Sequence, residues 1–92
     1  MINSDLDEFV ELAYLGRTLW FWYDGKKYFY RGWVCDDGIE CLYLTTMIPE
    51  DGPEWEWKSD DMRKNAEGFF QAKIFNGKSF WEVEQEMEWV DC

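Results

Sequence analysis

The side chains of this 92-residue chain that could do chemistry are carboxylates and thiols: 20 Asp+Glu and 3 Cys, with no histidine. Without histidine there is no Ser-His-Asp or Cys-His set and no imidazole for acid–base work. Paired carboxylates could serve a glycosidase, but that reaction needs a substrate cleft that so short a chain rarely builds. No glycine-rich dinucleotide loop or phosphate-binding loop occurs. Asp36-Asp37-Gly38 and Glu50-Asp51-Gly52 resemble pieces of calcium loops, yet neither continues to a bidentate glutamate at the required spacing. Both read as turns. Zinc would need more ligands than Cys35, Cys41 and Cys92 supply. The expectation is a non-enzyme with no metal and no cofactor.

The cysteines also bear on compartment. Their number is odd, no CxxC pair occurs, and the first residues carry Asp5, Asp7 and Glu8 without a cation, unlike an export signal. A tight turn at Asp37-Gly38 would send Cys35 and Cys41 to opposite faces of a hairpin, so no disulfide is expected. No apolar run is long enough to cross a membrane. These readings place the protein in the cytoplasm.

The elements that must position these groups follow from periodicity. Ser4 reads as the cap of a helix over about 5–15, with Leu6, Phe9, Val10 and Ala13 on one side and Asp7, Glu8 and Glu11 on the other. Aromatic and β-branched runs at 19–23, 27–34 and 39–46 are separated by Asp24-Gly25 and Asp37-Gly38, which predicts a three-stranded meander. One face of it carries Leu19, Phe21, Tyr23, Tyr28, Tyr30, Val34, Cys41 and Tyr43. The other carries Trp20, Trp22, Phe29, Arg31, Trp33, Leu42 and Leu44. The Trp/Leu face is expected under the helices and the tyrosine face half-exposed, because a buried phenol wants a partner.

After a loop, Glu54-Trp55-Glu56-Trp57 suits a short edge strand. Ser59 is expected to open a second helix in which Met62, Ala66, Phe69, Phe70 and Lys73 share a face. Ser79 with Glu82 forms a capping box for a third helix to about Met87. The tail carries a helical and an alternating pattern at once, and Glu88-Trp89-Val90-Asp91 suits an extended ending. The expected architecture is one α+β domain over 1–92: a three- or four-stranded antiparallel meander packed against an N-terminal helix and one or two C-terminal helices.

The net charge of -11 is uneven. Residues 1–16 carry -4, 17–46 are neutral, 47–61 carry -5, 62–78 carry +3 and 79–92 carry -5. Such a chain should not bind nucleic acid or an anionic membrane directly, because phosphates need clustered cations. It suits a partner with a basic surface. The first expectation is therefore an inhibitor or nucleic-acid mimic whose carboxylates stand in for phosphates. The acids that would do so are Asp7, Glu8 and Glu11, then Glu50, Asp51, Glu54 and Glu56, then Glu82, Glu84, Glu86 and Glu88. The alternative is a protein-binding or structural module, a homodimer among its forms, that uses the aromatic face of Tyr23, Tyr28, Tyr30 and Tyr43.

The run Phe75-Asn76-Gly77-Lys78-Ser79-Phe80-Trp81-Glu82 follows an acidic helix and a Tyr23-Asp24-Gly25-Lys26-Lys27-Tyr28 hairpin. In this the chain resembles small uncharacterised proteins of prophages and mobile elements of Gram-positive gut bacteria. Its size, acidity and lack of catalytic residues are similar to phage-encoded inhibitors of host defence, including anti-CRISPR proteins. That resemblance implies inhibition by contact rather than catalysis.

Overall fold

Residues 1–2 and 5–91 are described in a computed structural model of the chain. Ser4 and Cys92 lie outside the described residues, and with them the expected Ser4 cap and the terminal thiol.

Capping chemistry sets the start of each helix. Helix α1 (Leu6–Tyr14) begins at Asp5, whose carboxylate accepts the Asp7 N–H at 2.9 Å. Helix α2 (Met62–Gln71) is capped by Asp61, which accepts the Arg63 N–H at 3.0 Å. Ser59, expected as that cap, instead ends the preceding strand, its hydroxyl donating to the Asp61 carbonyl at 2.7 Å. A second acceptor comes from far along the chain: Glu40 Oε2 takes the Met62 N–H at 2.7 Å. The Asn65 side chain donates back to the Glu40 carbonyl at 2.9 Å. These bonds fix the start of α2 to the sheet. Helix α3 (Phe80–Val83) opens with the expected box, the Ser79 N–H donating to Glu82 Oε1 at 3.2 Å.

Five strands complete the architecture: β1 (Leu19–Tyr23), β2 (Lys26–Val34), β3 (Glu40–Ile48), β4 (Glu54–Ser59) and β5 (Glu88–Val90). They form one antiparallel sheet in the order β4-β3-β2-β1-β5. The expected α+β class stands, with the Trp-Glu segment as one edge. The tail's two patterns are divided between elements. α3 lasts four residues and gives way to a 3-10 turn at Glu84–Glu86. Glu88–Val90 then pairs with β1, setting Phe21 opposite Trp89.

The helices cover one face of the sheet, and that face is the tyrosine one. Leu19, Phe21, Tyr23, Tyr28 and Tyr30 are buried there with Leu42 and Leu44, beneath Phe9, Phe69, Phe70 and Phe80. The expectation that Trp20, Trp22 and Trp33 form the core is thus corrected: all three are only half-buried, on the opposite side. Backbone proximity is one reason. The Gly32 N–H donates to the Gly16 carbonyl at 3.1 Å, and a Cβ on Gly32 would sit 2.8 Å from Gly16 Cα. An interface this tight between β2 and the end of α1 has no space for an indole. The phenols meanwhile find acceptors or donors: Tyr30 Oη donates to the Ala13 carbonyl at 2.7 Å, and Tyr23 Oη accepts from Asn76 Nδ2 at 3.3 Å.

The β2–β3 turn explains a second correction. It is one residue longer than a two-residue hairpin loop, with left-handed Asp37 (φ 63°) and Gly38 (φ 77°) inside a 3-10 turn. The Cys35 N–H closes it on the Ile39 carbonyl at 2.6 Å. The register becomes Trp33 opposite Cys41 and Gly32 opposite Leu42. A one-residue slip moves every side chain of a strand to the other face. Leu42 and Leu44 therefore join the tyrosines, while Cys41 and Tyr43 face outward. Cys35 and Cys41 now share a face, their Cα atoms 6.2 Å apart, and are joined by a disulfide where none was expected.

Candidate functional site

With the helices on one side, the other sheet face is left without a covering element among the described residues. Alternation puts Trp20 and Trp22 of β1, Lys27, Phe29, Arg31 and Trp33 of β2, and Cys41, Tyr43 and Thr45 of β3 on it. Across the strands, Trp20 sits opposite Phe29, their ring centroids 5.8 Å apart. Trp33 meets Tyr43 edge to face at 6.3 Å. Arg31 is exposed between these two aromatic pairs. The aromatic residues are half-buried by one another, so their faces still meet water.

Carboxylates rim this face at both edges. On β4, Glu54 and Glu56 lie opposite Thr45 and Tyr43. The Glu54 carboxylate beside the Tyr43 hydroxyl holds the phenol above its ordinary pKa. Lys58 pairs with Glu56 at 3.3 Å in the open. At the far edge Glu88 sits opposite Trp22.

The acids named from sequence do not form one surface. Asp7, Glu8 and Glu11 are exposed on α1, on the helical side of the sheet. Glu50 and Asp51 are exposed in the β3–β4 turn. Glu82 is bound up in the α3 capping box, where hydrogen bonds from Ser79 hold its carboxyl below the usual range. Glu84 is half-buried against the Met1 ammonium. Glu86 and Glu88 are exposed. β4 and β5 stand at opposite edges, four strand spacings or roughly 19 Å apart. Glu54 and Glu56 on β4 are therefore separated from Glu88 on β5 by the width of the sheet.

The tyrosine set divides too. Tyr23, Tyr28 and Tyr30 are core residues, and burial raises the phenol pKa of Tyr28 and Tyr30. Only Tyr43 reaches the outer face. Sequence reasoning missed Trp20, Trp22, Phe29 and Trp33 as surface groups. The signal was present: Lys27 and Arg31 share their period-two face, and two cations in one strand point to water.

Among the described residues there is no enclosed cavity and no cluster of metal-ligating side chains. No helix among the described residues is long and apolar enough to cross a membrane. The chain matches no protein-family model, no curated protein and no solved structure.

Proposed function

We propose that this chain is a non-enzymatic protein-binding module that docks a basic protein through its outer sheet face. One observation carries the reading: Trp20, Trp22, Phe29, Trp33 and Tyr43 line a face that no helix among the described residues covers, with carboxylates at its edges. Trp, Tyr and Arg supply most of the binding energy in protein interfaces. The net charge of -11 speeds encounter with a cationic surface and repels a second copy of the chain, which disfavours the homodimer. The partner is thus a protein apolar at the centre of its contact and cationic at the rim.

The narrower reading is an inhibitor or nucleic-acid mimic of mobile-element origin, aimed at a basic nucleic-acid-handling protein. The charge supports it. The separation of the acid groups to opposite sheet edges weighs against one continuous phosphate-like track. The Cys35–Cys41 disulfide weighs against a cytoplasmic setting, where thiols are kept reduced.

The test compares variants against a basic protein captured by the immobilised chain. Trp22→Ser with Trp33→Ser should leave the circular dichroism unchanged and weaken binding sharply. Glu54→Lys with Glu56→Lys should slow association and flatten its salt dependence. Wild-type affinity in the tryptophan variant would overturn the reading.

A further inference from the structure

The outer face ends at a strand whose far side is unpaired. β4 spans six residues, pairs with β3 without a break from Thr45–Glu54 to Glu40–Ser59, and has no neighbour beyond it among the described residues. Every second residue of an edge strand directs its N–H and C=O away from the sheet. Natural edges are usually blunted by proline, a bulge or an inward-pointing charge. Here Pro53 stands before the strand, no bulge interrupts it, its inward residues are Trp55, Trp57 and Ser59, and its one lysine, Lys58, is paired with Glu56 on the outer face. The opposite edge is different: β5 has only three residues, and the Ile2 N–H bonds to the Met87 carbonyl beside it.

Resting on the reading of a basic partner, we propose that β4 receives an extended segment of that partner as a sixth strand. The side chains specify the segment. Glu54, Glu56 and Lys58 project to the outer face, all exposed, so residues set opposite the two glutamates are cations and the residue opposite Lys58 is not. Trp55 and Trp57, half-buried toward α2, call for apolar residues opposite them. Opposite residues 54–57 the segment therefore alternates cationic and apolar residues with period two. Main-chain bonds hold it and the alternate side chains select it.

A second copy of β4 is opposed in two registers. Antiparallel pairing centred on Glu56 would set Glu56 against Glu56, and pairing centred on Trp55 would set Glu54 against Glu56, whereas pairing centred on Trp57 sets Glu56 against Lys58 and matches charge. Each copy also carries -11. Self-pairing is thus opposed by the net charge of the chain rather than by every register of the strand.

The experiment titrates the full chain with a synthetic peptide of alternating Lys and Val, and with the same peptide methylated on every backbone nitrogen. Amide exchange and amide chemical shifts are followed by NMR. Exchange should slow at 54–59, and methylation should weaken binding by about tenfold or more, because it removes several hydrogen bonds while keeping every charge and apolar side chain. Equal binding of the methylated peptide would overturn the proposal. So would protection confined to β1 and β2 with β4 unchanged, although that result would leave docking on the outer face standing. Binding of neither peptide would also overturn the sixth strand, whereas the outer-face reading is judged separately by the tryptophan variants and the captured protein.

Discussion

The Tyr30 hydroxyl donates to the Ala13 carbonyl at 2.7 Å, inside the core and 17 residues away in sequence. This bond joins the centre of β2 to the last turn of α1. It explains how a phenol comes to lie, with no exposed surface, on the face the helices cover. Tyr30→Phe should therefore lower stability by about 1–2 kcal/mol, the cost of losing a buried donor, read as a lower urea midpoint with an unchanged slope.

The same residue predicts alkaline sensitivity. Burial raises the Tyr30 phenol pKa, and that of Tyr28, above the ordinary 10.0. Below that value both phenols are protonated in folded and unfolded chains, and stability does not depend on them. As pH rises above it, the unfolded chain ionises first and stability falls, by up to about 1.4 kcal/mol per pH unit for each such group. Urea titrations between pH 9 and 11 should show this fall, and Tyr30→Phe should make it shallower. A flat profile in the wild type would contradict the burial.

The two sheet faces should separate in mutational cost. Phe21→Ala and Phe69→Ala remove fully buried rings and should each cost about 3–5 kcal/mol. Trp22→Ala, on the half-buried outer face, should cost about 1 kcal/mol. Chemical denaturation of the three variants checks the order.

Gly32 is held by space rather than by backbone conformation. A Cβ there would lie 2.7 Å from Met62 Cε and 2.8 Å from Gly16 Cα. The methionine can turn away, but the glycine backbone cannot. Gly32→Ala should cost about 1–3 kcal/mol, and adding Met62→Ala should not restore it.

The Cys35–Cys41 bridge closes a short loop and should resist alkylation in the unreduced protein. Mass spectrometry after iodoacetamide treatment checks this directly. Replacing both with Ala should lower stability by about 2 kcal/mol through the unfolded chain's entropy.

The α3 cap, the Asp24-Gly25 turn and the strand positions were legible because they depend on neighbours in sequence, whereas α1 and α2 are capped by Asp5 and Asp61 rather than by the serines expected. Asp24-Gly25, Ser79 with Glu82 and the Trp-Glu alternation of β4 all did what their local chemistry requires. The facing of the sheet was not legible by the same means. It depends on one extra residue in the Cys35–Ile39 turn, which flips β3, and on the Gly16–Gly32 approach, which joins segments distant in sequence. Long-range capping of α2 by Glu40 was hidden for the same reason. The candidate site suffered most, since a face error exchanges surface for core. Lys27 and Arg31 were the local clue that Trp20, Trp22, Phe29 and Trp33 meet water.

The central claim is that the outer sheet face does the binding, and side-chain footprinting measures this most directly. The chain is oxidised free and in complex with its captured basic partner, and tryptophan oxidation is located by mass spectrometry. Trp81 is the internal reference: it is 46% exposed on the helical side, stacked on Phe70. The account predicts protection of Trp20, Trp22 and Trp33 in the complex with Trp81 unchanged. Protection of Trp81 with the three outer tryptophans still oxidised would place the partner on the helices and contradict it.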